Sequence, residues 1–300
     1  MSTDVSVSVS LSKRSFSIMR YLRFFFLLAT VALFSCNKDA DVPSDGDIVV
    51  NRVGGTFSVA ADKQVIFSPG NLQYNAVTHI WRFAENQYDC IADGNAYISS
   101  YYDGWIDLFG WGTSGFMVAP YCASLDADDY ENGGQGIENN NNDWGRFITI
   151  SNAGSGARVW RTLSSSEWEY LIEGRDKAKD KIAPALVCDY PGLVILSDYF
   201  HTPDSCVFAA TFDNGFESNS YNARQWSKME AAGAIFLPAA GYRYGDFVDD
   251  VDLCGNYWTS SYFEDGTAYV FNFDSYEEDL SIPPIALCYG HSVRLVRDVK

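Results

Sequence analysis

The residues best suited to chemistry gather near the C-terminus. Between positions 257 and 291 stand Trp258, Ser260, Tyr262, Glu264, Asp265, Asn272, Asp274, Tyr276, Tyr289 and His291, interleaved with apolar neighbours. Tyrosine and tryptophan offer broad amphipathic contact at low entropic cost, while serine, asparagine and aspartate supply adaptable hydrogen bonds, the mixture found in binding loops. This set is the candidate ligand-binding surface. The alternative is that alternate strand positions such as Tyr269, Phe271 and Phe273 simply fill the core, as strand alternation sends about half of such positions inward.

Catalytic signatures do not accompany these residues. No GxSxG or HExxH occurs, and acidic pairs are too frequent in so acidic a chain to nominate a glycosidase dyad. Apart from Cys36 the cysteines are Cys90, Cys122, Cys188, Cys206, Cys254 and Cys288, an even set that in an exported chain favours disulfides. Proximity in sequence favours Cys188 with Cys206 and Cys254 with Cys288, the alternative being buried thiols that pack as small hydrophobes. The lack of CxxC, with only His79, His201 and His291 as histidines, argues against a metal centre. The polar stretch 124–145 and the run Asp246, Asp249, Asp250 and Asp252 hold calcium-type ligands without the EF-hand spacing, so no cofactor is expected. The stretch 124–145 reads as a solvated loop.

The N-terminus carries a different kind of chemistry. Arg20 and Arg23 precede the apolar run FFFLLATVALFS, too short for a comfortable membrane span and suited to a signal-peptide core. The run ends at Leu33-Phe34-Ser35-Cys36, which resembles a bacterial lipobox, with Phe34 bulkier than usual. Cleavage before Cys36 would leave a thiol to carry lipid, and several acyl chains anchor a protein without a transmembrane helix. The acidic, non-periodic residues 36–53 then form a tether. Asp39 and Asp41 are compatible with a surface-export signal, so the expected location is the outer membrane, lipid-anchored and facing outward.

Charge narrows the partners. The full chain has a net charge of −18, with 21 cations and 39 acids. Loss of residues 1–35 removes four cations and one acid, leaving 17 against 38, or −21. No basic stripe remains to neutralise phosphates, which excludes nucleic acid as a partner.

The elements that must position the C-terminal residues are strands and two helices. GGTFSVA, KQVIFSPGNLQY and HIWRF read as strands, with Val65 and Phe67 inward and a turn at Pro69-Gly70. Trp105, Phe109 and Trp111 among glycines read as a packed corner. Ser164 followed by Glu167 is a capping-box signature, with Trp168, Leu171 and Ile172 on one face of the helix that follows. PGLVILSDYF reads as a buried strand. A second helix in NARQWSKMEAAG turns Trp226 and Met229 inward and stops at Gly233. The final strands are GAIFLPAAG, GNYWTSS, AYVFNF and HSVRLV. Residues 1–35 are thus a leader, 36–53 a tether and 54–300 a single domain.

The series NDWG (142–145), WRTLSSSEWEYL (160–171), LVILSDYF (193–200), QWSKMEAAGAIFLPAAGYR (225–243), GNYWTSS (255–261) and GHSVRLVRD (290–298) resembles lipoproteins with the Fibrobacter succinogenes major paralogous domain. That family is similar in fold to the formylglycine-generating, sulfatase-modifying group. The resemblance implies an α+β, C-type-lectin-like fold with two main helices on small antiparallel sheets, and long irregular loops. It also implies a binding role: a surface lipoprotein that takes a glycan or protein ligand. The tail further resembles lectin-like regions that a retroelement diversifies. A structural part in a surface fibre or outer-membrane complex is the second reading. Copper-dependent cysteine oxidation is the third, and it is disfavoured because Cys254 and Cys288 sit in separate motifs and the glycine-glycine-serine-tryptophan signature is missing.

Overall fold

The computed structural model describes residues 55–131, 133–154, 158–274 and 280–299. Cys36, Asp39, Asp41, the tether and Tyr276 lie outside the described residues. The architecture is mixed α+β, with few helices and five small sheets that are antiparallel apart from one edge strand.

The largest sheet has four strands in the order Ser220–Tyr221, Ile182–Val187, Tyr190–Leu196, Ala234–Pro238. Its central strands are apolar at nearly every position because both faces are covered. Leu193, Ile195, Ile235 and Leu237 face one core with Trp168, Leu171 and Ile172 of the first helix. Val194, Leu196, Ala234 and Phe236 face another with Trp226 and Met229 of the second. The period-two alternation of a strand divides these runs between two helices.

The first helix, Ser165–Glu169, starts as its sequence requires: Ser164 accepts from Glu167 N while Glu167 reaches back to Ser164 N. A π-turn over Tyr170–Gly174 continues it, a widening that the periodicity did not foretell. The second helix, Ala223–Ala231, carries a matching box from Asn222 and Gln225 and ends at Gly233, whose φ of +99° suits glycine alone.

A long hairpin, Cys254–Tyr262 with Thr267–Asp274, separates two cores. Tyr257, Phe271 and Phe273 enter the core of the first helix. Trp258, Ala268 and Val270 enter the third core, beside Phe109, Trp111 and Trp144. Strand Val296–Asp298 pairs with Lys63–Phe67, so the C-terminus closes on the first sheet.

The stretch 124–145 departs from the solvated loop expected of it. Tyr130, Ile137 and Trp144 are buried in the core of Phe109 and Trp111, and the buried Asp143 carboxylate accepts from Thr162 N and Oγ1. Three apolar anchors spaced seven residues apart were hidden in a composition dominated by Asp, Asn and Gly. Cys188, Cys206, Cys254 and Cys288 stand as free thiols in this structure. Cys206 packs beneath the second helix and donates to Gln225 O, and Cys254 accepts from Asn256 Nδ2 at 3.1 Å.

Candidate functional site

Nearness in sequence does not make one site of the ten C-terminal residues. The hairpin runs from Cys254 to Tyr262, roughly 25 Å at ~3.3 Å per residue, and the candidates divide between its ends. At the turn end, Tyr262 Oη donates to Glu131 Oε1 at 2.8 Å and accepts from Gly266 N, while Glu264 and Asp265 are exposed around the tight turn. Midway, Trp258 and Ser260 are core. Trp258 Nε1 donates to Phe109 O at 2.6 Å, and Ser260 exchanges backbone bonds with Leu163 and Ile137. Neither side chain can meet a ligand without opening the core.

The open end is where Asn272, Asp274, Tyr289 and His291 converge. They line a cleft of about 440 Å³, together with Tyr242, Asp250, Leu253, Cys254, Asn256 and the strand Pro284–Ala286. That volume lies within the range of small-ligand sites. Register builds its floor. Cys254 pairs with Asp274, Asn256 with Asn272 and Trp258 with Val270, so one face of the hairpin runs from polar at the mouth to apolar in the core. Asn272 Nδ2 donates to Asn256 Oδ1 at 2.9 Å, and Asn256 Nδ2 passes the chain on to Gly241 O.

A short sheet forms the side wall. Strands Tyr242–Tyr244 and Tyr289–Gly290 pair with Tyr244 opposite Tyr289 and Arg243 opposite Gly290. Glycine is required at 290, because a Cβ would lie 2.9 Å from the Arg243 side chain. The buried Arg243 spends its guanidinium on the carbonyls of Gly245, Cys122 and Leu108 behind the wall. Tyr289 thereby stands among Tyr244, Tyr242 and His291, with ring centroids 4.8, 5.7 and 6.0 Å away.

His291 is the unusual member. It is 2% exposed, packs edge-on against Trp258 at 4.7 Å, and neither ring nitrogen has a hydrogen-bond partner among the described residues. Burial first, and the nearby Arg243 second, hold its pKa down at about 3, so the ring is neutral at physiological pH. Burial and the carboxylates of Asp250, Asp274 and Asp249 push the Cys254 thiol up to about 12, outweighing the Asn256 hydrogen bond. Such a thiol is a poor nucleophile. Asp250 is itself raised, by burial and then by Asp249 and Asp274. Among the described residues no group of His, Cys, Asp and Glu is arranged to hold a metal ion.

A second polar pocket of about 300 Å³ lies by the capping box. Its groups are spent on one another. Arg161 clasps Glu167 through two bonds of 2.7 and 2.9 Å and reaches Asp298 at 2.7 Å, and Lys63 completes the set on Glu167 at 2.8 Å. These residues join the first helix to the C-terminal strand.

Tyr242 and Asn256 belong to the cleft but not to the sequence-derived set. Alternation carried a usable signal for Asn256, which shares a strand face with Cys254. Tyr242 joins only through a sheet formed with residues nearly fifty positions away. Comparison with protein-family models, with curated proteins and with solved structures finds no match for this chain.

Proposed function

We propose that the chain is a bacterial surface lipoprotein, tethered through Cys36, that binds a glycan in the cleft between the long hairpin and the Tyr242–Tyr289 wall without catalysing a reaction. The observation that carries this reading is the pairing of aromatic faces with amide and carboxylate groups in one open cleft. Sugar rings present C–H faces that pack on aromatic side chains, and hydroxyls that exchange hydrogen bonds with Asn and Asp. Tyr242 and Tyr289 supply the first, and Asn272, Asp250 and Asp274 supply the second. The raised Cys254 thiol and the neutral, enclosed His291 favour binding over reaction. Two helices on small antiparallel sheets, with long irregular connections, are compatible with the C-type-lectin-like fold that the motif series implies.

The test is glycan-array capture by the full chain and by Tyr289→Ala. Removal of the central ring should lower capture at least about tenfold, the scale of one good contact, with little change in thermal unfolding. Undiminished capture would rule out the cleft. Palmitate labelling tests the anchor, and label that persists in Cys36→Ser would refute it.

A further inference from the structure

Buried polar groups in folded proteins normally find a hydrogen-bond partner, so each exception needs a cause. Several side chains in this molecule keep a buried polar atom without a partner among the described residues, and His291 is the one of them that lines the cleft. It is almost wholly enclosed, and both of its ring nitrogens are left over. The groups packed on it do not answer them. Trp258 meets the imidazole edge-on and commits its Nε1 to Phe109 O, while Tyr289 lies within 18° of parallel to it. Arg243 is buried nearby, with its donors turned to the carbonyls of Gly245, Cys122 and Leu108. A neutral imidazole carries one N–H donor and one lone pair, and leaving them unpaired in a buried place costs stability that a ligand supplying the partner restores.

The lining also limits what can enter. Among the described residues lining the cleft there is no Lys or Arg. An acidic group on a ligand would lose its water there without meeting a counter-charge.

Resting on the glycan reading, we infer that His291 selects the ligand: its imidazole exchanges a hydrogen bond with a hydroxyl of a non-acidic sugar whose ring lies on Tyr289. A hydroxyl can donate to one imidazole nitrogen or accept from the other, so it serves the ring in either tautomer. A sugar lacking that hydroxyl leaves the imidazole unpaired, and a uronic or sialic carboxylate enters without a cation to meet it.

The probes are four sets of immobilised oligosaccharides, built from neutral hexoses, N-acetylhexosamines, uronic acids and sialic acids, presented to the full chain in detergent. The first two sets should be captured and the acidic two should not. His291→Phe, which keeps a ring and removes both nitrogens, should lower capture about tenfold while thermal unfolding stays level or rises. His291→Gln, which keeps a donor and an acceptor, should retain more capture than His291→Phe. With histidine labelled by nitrogen-15 in the native chain, the strongest-captured neutral oligosaccharide should shift the ring signals of His291 and leave those of His79 and His201 in place; this readout decides the matter if His291→Phe does not fold. Undiminished capture by His291→Phe would overturn the inference. So would His291 signals that do not move on saturation, because the ring would then only shape the wall, and so would equal capture of the uronic or sialic sets. Each of these outcomes leaves the glycan reading to be judged by Tyr289→Ala, whereas capture of none of the four sets overturns both.

Discussion

Two polar pockets of similar size sit on this molecule and have opposite electrostatics. In the pocket by the capping box the central charges are paired: Arg161 with Glu167 and Asp298, Lys63 with Glu167. In the cleft, Asp249 and Asp274 act on Asp250, and neither ring nitrogen of His291 has a hydrogen-bond partner among the described residues. A satisfied network stabilises and specifies a packing arrangement, whereas an unsatisfied one keeps free energy available to a ligand. The contrast separates a pocket whose paired charges join the first helix to the C-terminal strand from a cleft that encloses an imidazole with no hydrogen-bond partner among the described residues.

The comparison can be broken first at the paired pocket. Arg161→Ala removes the centre of the network and leaves Glu167 largely buried, so unfolding free energy in urea should fall by about 3–5 kcal/mol, with ligand capture retained by the fraction that stays folded. Trp258→Ala should fall in the same range, about 3–5 kcal/mol, because its indole fills the core below the cleft. A loss under about 1 kcal/mol in either case would mean that these sites are solvated.

The cleft responds in the other direction. Asn272→Ala should lower glycan capture by about tenfold while costing no more than about 1 kcal/mol of stability, since its amide bonds are half exposed. Stability loss without loss of capture would move Asn272 from the ligand to the frame.

Acidity sharpens the contrast further. The unfolded chain protonates His291 near its ordinary pKa, but the folded chain holds it at about 3, so His291 subtracts stability increasingly as pH falls from about 6.5 toward 3. His291→Gln abolishes that loss. Urea unfolding at about pH 7, 5 and 4 should show the variant gaining on the native chain as pH falls, and a constant gap would mean an open, hydrated ring. Asp107 and Asp143 act in the opposite sense. Burial raises each to about 6 against the hydrogen bonds that lower it, so the folded chain binds their protons first and gains stability as pH falls from 6 toward 4. Both variant and native chain share that gain, so it cancels in the difference.

The smallest effect belongs to the far end of the hairpin. Tyr262→Phe forfeits a half-exposed bond to Glu131, worth about 0.5–1 kcal/mol, and should leave capture unchanged. Lost capture would carry the ligand site to the hairpin turn.

Local chemistry wrote much of the frame where it could be read. The Ser164–Glu167 box, the Gly233 stop and the inward Trp226 and Met229 depend on neighbours within a turn or two, and each stands as the residues required. Residues 124–145 were harder to read, because Tyr130, Ile137 and Trp144 stand singly among Asp, Asn and Gly and find their core only through long-range packing. The candidate set named four of the cleft residues and mixed them with Trp258, Ser260, Tyr262, Glu264 and Asp265, which the hairpin places in the core or at its other end.

The sequence by itself determined that Tyr190–Leu196 lies in a buried strand, where the two main helices begin and where the second one stops, and that aromatic, amide and acidic groups concentrate near the C-terminus. Those properties follow from side-chain periodicity and from hydrogen bonds made within a few residues. Only the tertiary structure decided which of those groups share a cleft. Cross-strand register sets Asn272 beside Asn256 and Asp274 beside Cys254, and a separate short sheet brings Tyr289 against Tyr242 and Tyr244. Register and sheet order depend on contacts between distant segments, and a one-residue slip would turn the same side chains to the opposite face.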